Sequence, residues 1–305
     1  MTGSLVIRLT DAAEAAARWV VLDGTNQPAG AVREGPLEQA AAESAGRRVV
    51  LVVPAVDVVL ARIQVPMKSA PRVIKAAPFA LEEQLADDVE RMHFAVGRRL
   101  ANNDWPVAAV REDRLEGWLT RMADAGLEPA AVVSEANCLP ETPGSACWFV
   151  DGPQIIARGS DGLEMVSFEV PSLSDLVEFG PDPLEDAGAL HVTVYATGAE
   201  LEARDEEIGR LRENVSSVEV RRMDGDPLAY LAPQAADRGT LNLLQGEHAP
   251  KTSAEVLWKP WRGAAALFGA LCLVIIGREA LTLAELKGRE ADLDAAIQST
   301  CAEVM

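Results

Sequence analysis

Over roughly the first 65 residues, apolar positions fall in short runs of period two, bounded by Gly, Asp, Asn and Pro. That is the pattern of strands rather than helices. Ser4–Leu9 and Trp19–Leu22 read as strands, Asp23-Gly24-Thr25-Asn26 as a turn, and a third strand precedes a helix over Leu37–Ala45. A β-branched run, Val49–Val53, follows. Beyond Pro54, Val58–Val65 places Ala61, Ile63 and Val65 on one face and Leu60, Arg62 and Gln64 on the other.

The period then changes. From a cap at Ser69, the residues Ile74, Leu81, Leu85, Val89 and Met92 recur at helical spacing. Glu82, Glu83, Asp87, Asp88 and Glu90 give that helix a charged face, and Pro78 a kink. A strand at Val107–Val110, a helix from Asp113 through Leu115, Trp118, Leu119 and Met122 to Gly126, and a strand at Ala130–Val133 have the order of a βαβ crossover.

The pattern then starts again. Strands at Ala146–Val150, Gln154–Arg158 and Leu163–Val170 are joined by Asp151-Gly152 and Asp161-Gly162, both good hairpin turns. A short helix over Leu173–Phe179, a strand at His191–Tyr195, a charged helix over Glu200–Leu211 and a strand at Val218–Arg221 complete the second round. Three meandering strands followed by alternating helices and strands, twice over, predict an α/β chain of two ribonuclease-H-like halves, the plan of the actin-like fold. The first half is expected over 1–145, the second over 146–245, and a linker over 246–262.

From Gly263 to Gly277 the chain carries 15 residues without a charged or strongly polar side chain. As a helix this run is about 22 Å long, short of a hydrocarbon core of about 30 Å. Its flanks extend the reading. Trp258, Lys259, Trp261 and Arg262 put two indoles and two cations at one edge, as a headgroup layer favours. At the other edge Arg278 can reach outward along its aliphatic stem, which lengthens the expected transmembrane helix to 263–283. Lys259 and Arg262 before the span place the amino-terminal body in the cytoplasm and Met305 on the other side of the membrane. Leu283, Leu286, Leu293 and Ile297 follow heptad spacing, with Glu290 interrupting one position, so 284–305 reads as a helix or the start of a dimeric coiled coil.

Composition narrows the partners. Against 47 Asp and Glu stand 28 Lys and Arg, for a net charge of −19, which repels phosphate backbones and leaves nucleic acid an unexpected partner. Cys138, Cys147, Cys272 and Cys301 contain no CxxC pair, so neither zinc ligation nor a disulfide framework is expected. MTGSLVIRLT lacks a basic stretch followed by a long apolar run, unlike a cleaved signal peptide.

Phosphate-binding signals are weak. No GxxxxGK[ST] loop and no strand-borne GxGxxG occurs. An actin-like fold binds ATP through an acidic residue and glycines in the first hairpin of each half, and Asp23 and Asp151 are the candidates, although Asp-Gly is equally a tight-turn sequence. His93, His191 and His248 are far apart in sequence, without metal-ligand spacing, and no Ser sits in a GxSxG elbow. No catalytic residue, cofactor or metal is therefore expected.

Three stretches together resemble the type II secretion system protein L family. They are Val65-Pro66 leading into Ala76–Gly97, then Val107–Glu135, and Asn242–Leu267 with its Trp-Lys-Pro-Trp-Arg lead into the apolar run. The resemblance implies an actin-like cytoplasmic domain, itself no nucleotide hydrolase, that recruits the secretion ATPase (protein E) to the inner membrane. It also implies a membrane helix that pairs with the protein M component. The family continues into a small ferredoxin-like periplasmic domain, so a chain ending at Met305 is expected to be truncated or divergent there.

Overall fold

A computed structural model describes residues 3–9, 16–67, 69–100, 102–140, 142, 144–159, 165–169, 172–179 and 190–250, together with 268, 275 and 278. Two compact units divide the chain, Met1–Ala249 and Pro250–Met305. In chain order the strands are β1 (Ser4–Leu9), β2 (Ala16–Leu22), β3 (Arg33–Pro36), β4 (Arg48–Val53), β5 (Val58–Ile63), β6 (Met92–Val96), β7 (Trp105–Arg111), β8 (Ala131–Ser134), β9 (Ala146–Asp151), β10 (Gln154–Arg158), β11 (Met165–Glu169), β12 (His191–Thr197) and β13 (Ser217–Met223). The helices are α1 (Leu37–Ala42), α2 (Ala70–Leu81), α3 (Glu112–Asp124), α4 (Leu173–Phe179), α5 (Gly198–Ala203), α6 (Asp205–Asn214) and α7 (Leu228–Ala236).

Two sheets repeat one topology. The first has strand order β3-β2-β1-β4-β8 and the second β11-β10-β9-β12-β13. In each, the first three strands form an antiparallel meander and the last two lie parallel to the first. Parallel strands bury both faces and so carry continuous apolar runs. In β1, Leu5, Ile7 and Leu9 enter one core with Val49, Leu51 and Val53 of β4, roofed by Leu115, Trp118 and Met122 of α3. Val6, Val50 and Val52 point the other way, into a second core shared with Cys147, Phe149 and Ile156 of the second sheet. Leu228, Leu231, Ala232 and Ala235 of α7 fill that shared core. The far face of the second sheet, Trp148, Val150 and Val194, packs on Leu173 and Leu176 of α4 and Ile208 and Leu211 of α6.

Three sequence expectations need correction. The βαβ reading fails because β7 pairs antiparallel with β5 and β6 in a separate three-stranded sheet, while β8 lies in the first sheet. Element order alone does not tell which sheet a strand joins. The helix read from Ser69 to Met92 ends at Leu81. Pro78 removes a helical donor three residues earlier, the backbone turns extended at Leu85, and Met92 opens β6 instead. The charged helix over Glu200–Leu211 is two helices, broken at Arg204. Thr197 caps the first with a capping box whose other member is Glu200.

Within the segment read as a membrane span, Phe268, Ile275 and Arg278 are helical and exposed. Among the described residues no helix is long and apolar enough to cross a membrane. Trp258, Lys259, Trp261, Arg262, the Asp161-Gly162 turn, the heptad leucines, Cys272 and Cys301 lie outside the described residues.

Cys138 and Cys147 are both buried and unpaired by disulfide. Burial raises both thiols, that of Cys147 to about 11. A thiolate is the reactive form, so neither residue is expected to react with a maleimide or aromatic disulfide reagent at pH 8 until the fold opens. Peptide mapping of the labelled native chain checks this, and rapid labelling of either residue contradicts it.

Candidate functional site

The junction between the two repeated sheets contains a buried charge cluster. Arg8 is the one charged residue of β1, and it shares the parity of Val6, so its side chain faces the second sheet. There its Nε donates to Glu135 Oε1 at 2.5 Å and its Nη1 to Asp151 Oδ2 at 2.5 Å. The other oxygen of Glu135 accepts from the Ala55 amide at 3.1 Å. The side chains of Arg8 and Glu135 are 5% and 2% exposed, so this cluster is inside the protein rather than on it. Burial opposes the Arg8 charge, but the fields of Glu135 and Asp151 and hydrogen bonds to both hold the guanidinium above its ordinary value. Burial likewise pushes the Glu135 carboxyl up, and Arg8 pulls it back.

Around this cluster lies a cleft of about 340 Å³, lined by Arg8, Arg18, Pro54, Glu135, Asp151 and Gly152 among others. The turn that carries Asp151 and Gly152 is the tip of the β9–β10 hairpin, closed by the Asp151–Gln154 pair. Gly152 has φ of 62°, a left-handed conformation that a hairpin of this kind takes from glycine. Among the described residues, both cations lining the cleft are ion-paired: Arg8 as above, Arg18 with Glu34 at 3.2 Å and Asp226 at 3.4 Å.

Asp23 is elsewhere. In the β1–β2 register, Ser4 pairs with Leu22 and Leu9 with Ala17, so the ends of the two strands that are consecutive in the chain are Leu9 and Ala16, and Asp23 is not between them. Asp23 instead follows the far end of β2, about 13 Å along β1 from Arg8 at strand rise. One of its carboxylate oxygens accepts from the Thr25 amide at 2.8 Å, the Thr25 hydroxyl at 2.7 Å and the Gln27 amide at 3.0 Å. Those bonds, that to Thr25 Oγ1 foremost, hold its carboxyl below the usual range. Asn26, with φ of 61°, takes the left-handed position of this turn. The fold thus keeps the two candidate aspartates apart: Asp151 lines the cleft, and Asp23 organises a surface turn.

A second constellation lies where the first unit ends. Residues 242–245 run as a strap between two sheets. On one side, Leu243 N donates to Val132 O at 2.8 Å and Asn242 Oδ1 accepts from Val132 N at 2.9 Å, both on β8. On the other, Gln245 Oε1 accepts from Val96 N at 3.2 Å and its Nε2 donates to Val96 O at 3.0 Å, so this amide mimics a strand neighbour for β6. His93 Nε2 contacts Leu243 O at 2.6 Å. Gly246, with φ of 59°, turns the chain into a short 3-10 turn, Gly246–His248. His248 Nε2 then meets Glu112 Oε1 at 2.5 Å, and the rings of His93 and His248 lie edge to face with centroids 5.1 Å apart. Two histidines that no spacing rule connects are therefore neighbours. Burial lowers the pKa of His93, against its bond to Leu243. His191 stands apart, on β12 beside Ser217.

Two matching five-stranded sheets that share a core, with a cleft at the hairpin tip of the second, have the topology of the actin-like fold. The backbone resembles the cytoplasmic domain of EpsL, an inner-membrane component of the type II secretion system of Vibrio cholerae. The TM-score is 0.60 at 19% identity, covering 81% of this chain and 100% of that one. It also resembles a chain of the PilM–PilN type IV pilus biogenesis complex, with a TM-score of 0.50 at 17% identity, over 76% of this chain and 97% of that one. The sequence pattern of the type II secretion system (T2SS) protein L family matches residues 5–251, and the chain belongs to that family. A protein L of Pseudomonas aeruginosa is 33% identical over 279 residues, covering 91% of this chain and 64% of that relative. The chain thus spans under two thirds of that relative's length.

Proposed function

We propose that this chain is a scaffold of the type II secretion system, which recruits the cytoplasmic secretion ATPase and couples it to the inner-membrane platform. The observation that carries the reading, given the family, is the Arg8–Glu135–Asp151 cluster. The carboxylate presented at the hairpin tip, where an actin-like ATPase would manage a metal-bound phosphate, is here committed to a buried arginine. Arg8 and Arg18 each face two carboxylates, so the described residues of the site offer an incoming triphosphate no uncompensated positive charge. A fold kept without its phosphate chemistry is suited to binding a protein. In this reading the body lies in the cytoplasm and the run from Gly263 crosses the inner membrane once. Residues 284–305 begin the periplasmic part, and protein M and a second copy of the chain are membrane partners.

A second reading is a membrane-tethered actin-like ATPase of pilus assembly or cell division. The 340 Å³ cleft favours it, being of the size that small ligands use. Calorimetric titration with Mg-ATP separates the two. The scaffold reading expects no saturable heat, whereas tight binding lost in Asp151→Asn sinks it.

A further inference from the structure

We propose that His93, Glu112 and His248 form a binding site for one divalent transition-metal ion, of the zinc class, that clamps the exit from the cytoplasmic unit to the third sheet. One donor atom from each residue lies within 4.8 Å of the others. Each donor comes from a different piece of structure. His93 stands on β6, opposite Val110 of β7, and Glu112 follows two residues later at the start of α3. His248 arrives on the 3-10 turn that ends the strap.

The orientation of His93 is what distinguishes a ligand set from a chance cluster. The Leu243 carbonyl can only accept, so the imidazole nitrogen 2.6 Å from it, Nε2, carries a proton. In the neutral ring this leaves Nδ1 as a lone pair, and that atom faces Glu112 Oε2 at 3.8 Å. Two acceptors at that separation repel unless a proton or a metal ion lies between them. Donation of the second ring N–H to a backbone carbonyl is also how metal-bound imidazoles are commonly oriented. His248 Nε2 and Glu112 Oε1, at 2.5 Å, supply the remaining donors once the ion takes the place of their shared proton.

Two imidazole nitrogens and one carboxylate are the donors of open zinc sites, with solvent at the fourth position. Tetrahedral coordination at about 2.0–2.1 Å sets neighbouring ligand atoms about 3.3 Å apart. From separations of 2.5 and 3.8 Å, modest side-chain rotations suffice, and the 41% exposure of the Glu112 side chain leaves it room to move. A net charge of −19 further favours cation uptake. Magnesium is disfavoured because it prefers oxygen ligands and holds its water. The consequence is mechanical: the ion ties the last turn before Pro250 to β6 and α3.

The full chain in detergent, stripped with a chelator, is titrated with zinc chloride against a chromophoric competitor. One zinc ion per chain is expected, with no response to magnesium. His248→Gln, at the end of the unit where refolding demands are small, and Glu112→Gln each weaken binding by at least about tenfold. Hydrogen exchange at 244–249 slows on zinc addition in the parent chain and not in His248→Gln. Absence of saturable zinc binding overturns the site. So does binding unchanged in both variants, which puts the ion elsewhere, Cys272 and Cys301 included. Binding without any change in exchange overturns the clamp.

Discussion

Replacement of Arg8 by Ala is expected to lower the free energy of unfolding by about 3–5 kcal/mol, because it leaves two carboxylates facing each other without their cation. Glu135 is the costly one: its side chain is 2% exposed and its second oxygen is held by the Ala55 amide. Asp151, at 21%, can still reach water. That asymmetry predicts the behaviour of a second variant. Arg8→Met combined with Glu135→Gln removes the charge and its buried counter-charge together, fills the space with a flexible side chain, and recovers most of the loss. Urea unfolding of parent, single and double variants measures the difference. If Arg8→Ala unfolds at the parental midpoint, the cluster is not holding the two sheets.

Phe149→Ala is expected to be as severe, at about 3–5 kcal/mol, for a different reason. Phe149 is fully buried on the face of β9 that looks toward the first sheet, and it stacks on Tyr195 with centroids 6.4 Å apart. It shares a core with Val50 and Val52 across the junction and with Leu228 and Leu231 of α7. Truncation opens a cavity between two rigid sheets, which cannot close by relaxing one loop. The same urea series reports it. A change below about 1 kcal/mol would mean that the two halves adjust freely, contrary to a shared core.

Much of this architecture was legible in the chain. Val49–Val53 and Ala146–Val150 were readable because a strand buried on both faces is apolar throughout, and Asp151-Gly152 marks the hairpin that follows the second of them. The third sheet was not, since the partner of β5 is β7, more than forty residues away, and Met92 falls at helical spacing although it opens a strand. Helix α7 is absent from the sequence reading, as is the surface that its Leu228, Leu231, Ala232 and Ala235 cover. At the junction, a signal existed in plain view. Arg8, set between Ile7 and Leu9 in a fully buried strand, requires an internal counter-charge. Which carboxylates supply it depends on how the two halves close. His93 and His248 carry no such signal, because only the strap of Asn242–Gln245 brings them together.

We propose that an actin-like body whose cleft carries a buried, ion-paired arginine serves to hold the secretion ATPase. Titration of the full chain in detergent with the cognate ATPase, followed by calorimetry, tests it most directly. The account predicts saturable binding at micromolar concentration or tighter, unaffected by adding Mg-ATP to the chain beforehand. No binding of the ATPase at micromolar concentrations, alongside tight binding of Mg-ATP by the chain alone, would contradict it.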